Sequence, residues 1–331
     1  MGKTKDSIKA TIFIPTWYGE QYIDEVLGAV FKQKVDFKYE VLIYDTSSKD
    51  NTPKIIEKYA RKHSNLRHKT ITKEEFGHGR TRNAAAHDAK GEIVVYISQD
   101  VTPAHRRWLH EIVQPFSISD EIVGVVGKQD PRAHCFPLLK NEIRSVFRNF
   151  GPDFGTTVFY NDDFVTDQAT YDAISFYSDV NSAARRSHLI SDLPYKDVPY
   201  AEDQLLGRDI INAGFKKAYA PRARVLHSND MKLSEYKNRM FDEIIGLRNV
   251  GIAVNSPSVK SVIKMVGYGV FKDWVRTVRD NDYSWKRKIY WLILNPLYHI
   301  EKWRGVRLAA NADLKDEGLI EKYSLESIRN R

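Results

Sequence analysis

Three short apolar runs, at residues 10–15, 39–44 and 93–97, each stop abruptly at a polar side chain and are separated by segments of helical period. Between the first two, residues 20–33 carry Ile23, Val26, Leu27, Val30 and Phe31 at helical spacing. Past the second run, Thr52 can cap and Pro53 can start a helix over 54–62. A further helix is expected from about Thr81 to Gly91, which makes the order β-α-β-α-α-β. Strands alternating with helices imply parallel crossovers, and in an open parallel sheet ligands collect beyond the carboxyl ends of the strands. Thr16, Asp45 and Asp100 all stand just past such ends, so the pattern predicts three polar residues from separate strands converging on one crevice.

Further along, residues 121–129 read as a strand, and the aromatic-rich stretch 147–164 has no evident element. Residues 173–184 read as a strand leading into 181–186, and 202–212 as a helix stopped by Gly214. From Leu233 the pattern is helical to the end, with Pro257 and Pro296 expected as breaks. A boundary near residue 232 therefore separates an α/β domain, 1–232, from a helical region, 233–331.

At 331 residues, 42% hydrophobic and 28% charged, the chain can bury a full α/β core. Cys135 is its only cysteine, which excludes an intrachain disulfide and a multi-thiolate zinc site and fits a reducing cytoplasm. Residues 1–10 are polar and lysine-bearing, without the apolar core of a signal peptide. The longest apolar run of the last third, 289–294, is far below the ~20 residues of a spanning helix. Of the net charge of +8, most sits between residues 260 and 307, where 11 basic residues face 4 acidic ones.

Asp100 closes the apolar run 93–97 with Ser98 and Gln99, and a carboxylate there can hold Mg²⁺ or Mn²⁺ against a diphosphate. His227 can add an imidazole ligand, which suits manganese, or can be a hydrogen-bonded residue at the end of a strand. Asp45 and its neighbours can read the edge of a pyrimidine, or can simply form an Asx-type turn. The loop 76–83 places glycines and a hydroxyl at a helix start with Arg82 in the first turn, which suits a diphosphate or sugar contact or an ordinary capped loop. Glu202 and Asp203 open their helix about 100° apart, so they cannot do the same job. A helix N-terminus is expected to lower the pKa of a carboxylate, which keeps a proton acceptor ionised; simple dipole complementarity is the plainer reading.

With these sites in order, the chain resembles the family 2 inverting glycosyltransferases of the GT-A fold, and more narrowly bacterial rhamnosyltransferases, over about residues 10–250. The most specific elements are Phe76-Gly77-His78-Gly79-Arg80-Thr81-Arg82-Asn83 and Ile97-Ser98-Gln99-Asp100-Val101-Thr102-Pro103. The resemblance implies an α/β fold with a Rossmann-like, mostly parallel sheet flanked by helices and a C-terminal helical extension. It implies Asp203 as catalytic base, with Pro15, Thr16, Glu20, Asp45, Arg82, Gln99 and Asp100 on the nucleotide-sugar side. Asp179, Asn181 and Glu202 would lie on the acceptor side, and Asp100 with His227 would hold Mg²⁺ or Mn²⁺. Ser98 replaces the first Asp of the family's Asp-X-Asp motif. The implied donor is dTDP-rhamnose, with a UDP-hexose as the alternative.

Residues 260–307 interleave Trp274, Trp285, Trp291 and Trp303 with lysines and arginines, a composition that can lie in a membrane interface or pack on the protein or a second subunit. An anionic membrane surface, a lipid-linked saccharide acceptor and a peripheral place at the inner face of the cell membrane are the expectations. No motif for nucleic acid is recognised. A non-catalytic scaffold binding nucleotides is the reading from another class, and Asp100, Asp203 and Arg82 together weigh against it.

Overall fold

The computed structural model describes residues 7–162, 167–228 and 231–329. The chain divides into two compact units, Met1–Asp130 with Arg144–His227, and Pro131–Ile143 with Ser228–Arg331. The second unit thus takes in a segment from well before the expected boundary.

The first unit opens with β1 (Ile8–Thr16), α1 (Ile23–Val30), β2 (Lys38–Asp45), α2 (Thr52–Ala60), β3 (Leu66–Thr70), α3 (His78–Asp88) and β4 (Ile93–Ile97). β1, β2, β3 and β4 pair in parallel. The sequence reading passed over β3 because only Leu66 of its five residues is buried. In β1, Ala10, Ile12 and Ile14 fill one face against Val41, Ile43, Val95 and Ile97, while on the other face Phe13 meets Tyr44 and Tyr96 edge-on. α3 begins three residues before the expected Thr81.

The short β5 (Thr102–Pro103), α4 (Trp108–Val113), β6 (Ile122–Asp130), α5 (Pro137–Arg148), β7 (Thr157–Phe159), α6 (Gln168–Ser175), β8 (Asn181–Arg185), α7 (Arg186–Leu189), α8 (Glu202–Asn212) and β9 (Lys216–Leu226) follow. The expected strand over 173–184 is the end of α6, a loop and then β8. The aromatic stretch 147–164 contributes β7 and a cluster of Phe147, Phe150, Phe159, Phe176 and Tyr219, with 163–164 outside the described residues. The sheet order is β3-β2-β1-β4-β8-β6-β9-β5, with β7 on β9. β8 runs antiparallel to both β4 and β6. Its start, Asn181, therefore pairs with the last residue of β4, Ile97, and the loop before β8 lies at the carboxyl edge of the parallel strands.

In the second unit, α9 (Leu233–Asn249), α10 (Val259–Arg279), α11 (Trp285–Asn311), α12 (Glu317–Tyr323) and α13 (Leu325–Arg329) build a helical body. Its core includes Phe136, Tyr236, Phe241, Trp291, Tyr298 and Val306. Pro296 does not break the chain as expected, for α11 runs through it. Proline removes the N–H that the carbonyl four residues earlier requires, and that carbonyl, Leu292 O, accepts the indole N–H of Trp274 at 2.9 Å instead. Among the described residues no helix is long and apolar enough to cross a membrane.

Candidate functional site

At the ends of β1 and β2, Thr16 donates to Asp45 Oδ1 at 2.8 Å, and Ser48 donates to the same carboxylate from its N–H at 2.9 Å and its hydroxyl at 2.7 Å. Asp45 is buried and engaged in this turn, so the Asx-type reading describes its carboxylate. Pro15 is partly exposed beside it. Glu20 accepts both the backbone and side-chain N–H groups of Asn51 at 2.8 and 3.0 Å, which ties the loop after β1 to the start of α2. Gln99 accepts the Trp17 N–H at 2.8 Å and donates to the Trp17 carbonyl at 2.9 Å, joining the loops after β1 and β4.

That clamp leaves two side chains outward that the sequence reading missed. Trp17 is 38% exposed and Tyr18 50% exposed, edge-on to one another at 5.4 Å, with Lys73 over the Trp17 ring. Among the described residues Tyr18, Ser47 and Ala201 are the non-glycine residues with positive φ. Such conformations cost of order 1–3 kcal/mol and gather at functional sites. Two of the three follow β1 and β2, and the third precedes Glu202. The usable signal was an aromatic pair directly after the Pro15-Thr16 strand end.

The loop 76–83 packs against the backbone at residues 195–196. Gly79, in the first turn of α3, lies so close to the Lys196 carbonyl that a Cβ would come within 2.1 Å of that oxygen. Asn83 then exchanges two hydrogen bonds of 2.8 Å with the backbone of Tyr195. Held there, Arg82 reaches Asp179 Oδ2 with Nε at 2.6 Å and Glu202 Oε1 with Nη1 at 2.8 Å. The arginine read from sequence as a diphosphate contact thus bridges two carboxylates. Burial opposes its charge, but Asp179 and Glu202 overcome that, and its pKa lies above the ordinary value.

Asp179 is buried; it accepts the Ser182 hydroxyl at 2.6 Å and the Tyr195 hydroxyl at 3.0 Å, and its own N–H donates to Asp203 Oδ2 at 3.2 Å. Glu202 is buried on Arg82, whereas Asp203 is the more open of the pair. Asp203 departs from the helix-dipole expectation. Burial first, then the charges of Glu202 and Asp179, push its carboxyl up to about 8, against the opposing pull of Arg82. Asn181, expected on the acceptor side, is fully buried; it donates to Lys128 O and Ala223 O and accepts the Trp108 indole N–H, fixing β8 between its neighbours.

Asp100 and His227 come together because β5 pairs with the end of β9. His227 Nε2 lies 3.5 Å from Asp100 Oδ2, and both side chains retain slightly under a fifth of their exposure. His227 Nδ1 is buried and finds no hydrogen-bond partner among the described residues. One oxygen and one nitrogen donor fit Mn²⁺ or Mg²⁺ when substrate oxygens and water complete the shell. Among the described residues no third His, Cys, Asp or Glu joins them, as Ser98 in place of an acid implies.

A sheet of this order, with a carboxylate after β4 and a second at the start of α8, is of the GT-A kind. The profile described as glycosyl transferase family 2 matches residues 11–191, more than half of the chain, and the chain belongs to that family. It is 28% identical over 71% of both chains to the O-antigen chain rhamnosyltransferase RfbN of Salmonella typhimurium. To the O-antigen chain rhamnosyltransferase WbaN of Salmonella anatum it is 29% identical over 70% of both. Among solved structures, it superimposes on the mannosyltransferase PcManGT from Pyrobaculum calidifontis in complex with GDP-Man and Mn²⁺ with a TM-score of 0.56, at 14% identity over 98% of this chain and 88% of that one. Staphylococcus aureus TarS 1–349 in complex with UDP-GlcNAc gives 0.52, at 18% identity over 96% and 79%.

Proposed function

We propose that this glycosyltransferase transfers L-rhamnose from dTDP-β-L-rhamnose to a hydroxyl of a lipid-linked saccharide at the inner face of the cell membrane, with inversion, in cell-surface polysaccharide assembly. The observation that carries the chemistry is Asp203, a carboxyl raised to about 8 at the carboxyl edge of the sheet. The likeness to RfbN and WbaN favours rhamnose as the sugar. Asp203 takes the proton of the acceptor hydroxyl as that oxygen bonds to the anomeric carbon and the bond to the diphosphate oxygen breaks, the electron pair leaving with dTDP. A proton acceptor near the working pH is the efficient one.

Asp179, Arg82 and Glu202 hold Asp203 in place and set its proton affinity; they are positioning residues. Thr16, Asp45 and Ser48 shape the turn beside the base, on whose face Trp17 and Tyr18 stack. Pro15, Glu20 and Gln99 keep that wall in register. Asp100 and His227 would hold Mg²⁺ or Mn²⁺, and when bound such an ion offsets the charge gathering on the departing diphosphate. Orientation of the two substrates supplies much of the remaining acceleration.

The test is turnover on a panel of nucleotide-sugars with purified protein and Mn²⁺. dTDP-rhamnose should turn over fastest, and Asp203→Asn should cut transfer by about 10³-fold or more while dTDP still binds. Normal transfer by Asp203→Asn removes the base assignment. Preference for a UDP-hexose, which the likeness in fold to TarS with UDP-GlcNAc keeps in view, removes the donor but not the mechanism.

A further inference from the structure

Two helices of the second unit turn apolar residues outward. On α10, Ile263, Phe271, Trp274 and Val278 follow helical spacing and are 43–67% exposed. On α11, Trp285, Ile289 and Ile293 repeat every four residues at 56–72% exposed. The helices run antiparallel, as the Trp274 bond to Leu292 and a 2.6 Å bond from Lys288 Nζ to Val278 O require. Between them opens a groove of about 550 Å³ lined by Phe271, Trp274, Val275, Val278, Arg279 and Leu292. Contiguous exposed apolar surface of this kind marks an interaction face.

Charge decides what covers it. Lys260, Lys264, Lys272, Arg279, Lys286 and Arg287 are exposed on the same two helices. The acids from 259 to 300 are Asp273, Asp280 and Asp282. Asp273 is buried against His299 at 2.9 Å, and Asp280 and Asp282 each lie 2.8 Å from Lys140. Those carboxylates are already matched, so the cations around the apolar ridge keep their field outward. A second copy placed face to face on this surface would oppose like charges, whereas an anionic lipid leaflet complements them.

We infer that the outer face of the α10–α11 pair is the membrane-docking surface of this protein, lying in the headgroup region of an anionic bilayer. Trp274 and Trp285 sit at headgroup depth and the lysines reach the phosphates, the arrangement of an interfacial rather than a spanning helix. This deepens the membrane-side part of the function proposed above and is independent of which sugar is moved.

The full chain is sedimented with vesicles of phosphatidylcholine alone and of phosphatidylcholine with phosphatidylglycerol, at low and high salt and without donor. Binding is expected only with phosphatidylglycerol, weakened by salt. It should fall roughly a hundredfold in Lys260→Ala/Lys264→Ala/Lys272→Ala and about tenfold or more in Phe271→Ser/Ile293→Ser. Unchanged dTDP binding and circular dichroism establish that the variants fold. Failure of the parent to bind anionic vesicles overturns the inference, as does parent-like binding by both variants. A dimer in light scattering that Phe271→Ser/Ile293→Ser dissolves would assign the face to a second copy. Sedimentation reads no sugar transfer, so a failed rhamnosyltransferase assignment appears only in the donor panel.

Discussion

Asp203 carries the largest local consequence. Its carboxyl must be ionised to accept a proton, and with a pKa of about 8 the ionised fraction grows with pH. We therefore expect kcat/KM to rise through about pH 8 in a pH-rate profile of the parent enzyme. The stability effect has the opposite sign. The folded state keeps the proton up to about pH 8, whereas the unfolded chain releases it near 3.8, so stability is lost as pH rises through that interval. Asp203→Asn should thus melt higher than the parent at about pH 8, by about 1–2 kcal/mol in thermal denaturation, and the gain should vanish near pH 4. Arg82 works against the same rise. Arg82→Ala leaves Asp179 and Glu202 facing each other in a buried site, which should cost about 3–5 kcal/mol in denaturant unfolding. Arg82→Lys, which keeps the charge but not the fork, should recover part of that and move the ascending limb of the rate profile. The types of these residues were legible in the sequence, but not who meets whom. Arg82, Asp179 and Glu202 are separated by about 100 and 20 positions, and a guanidinium suits phosphate and carboxylate equally well.

Helices α10 and α11 show how one element repairs another. The Trp274 indole replaces the N–H that Pro296 lacks, so Trp274→Phe should cost about 1 kcal/mol in the parent and markedly less in a Pro296→Ala background, where residue 296 donates to Leu292 itself. A double-mutant cycle by urea unfolding measures that coupling. Periodicity placed β1, β2, β4, β6, α1 and α8 to within a few residues, because each has a fully apolar face or a clear start. It missed β3, whose side chains are largely exposed, and started β8 too early, because a strand of Asn, Ser, Ala, Ala and Arg has no apolar signature to mark its bounds. It also broke α11 at a proline whose compensation comes from another helix, which no local pattern records.

At the scale of the molecule, the alternation of strands and helices was enough to put Thr16, Asp45 and Asp100 at the carboxyl edge of the parallel strands. Between the two readings of Asp45 it could not choose, because the turn that engages its carboxylate draws on Thr16 from another strand. It named His227 as a partner of Asp100, but not the pairing of two-residue β5 with β9 that brings the two together. Chelation of divalent metal is expected to abolish transfer and added Mn²⁺ to restore it. His227→Ala should raise the Mn²⁺ concentration needed by roughly tenfold or more, measured both by titrated activity and by direct Mn²⁺ binding.

Because β8 enters against the direction of its neighbours, the segment from Phe176 to Val180 is a fixed-length tether. Deleting one residue from it would slide the strand so that Ser182 faces the Trp108 indole in place of Asn181. The same slip would drag the Asp179 amide off Asp203. Length variation among enzymes built on this plan should accordingly be scarce in that tether and concentrate in segments that end away from the sheet's carboxyl edge.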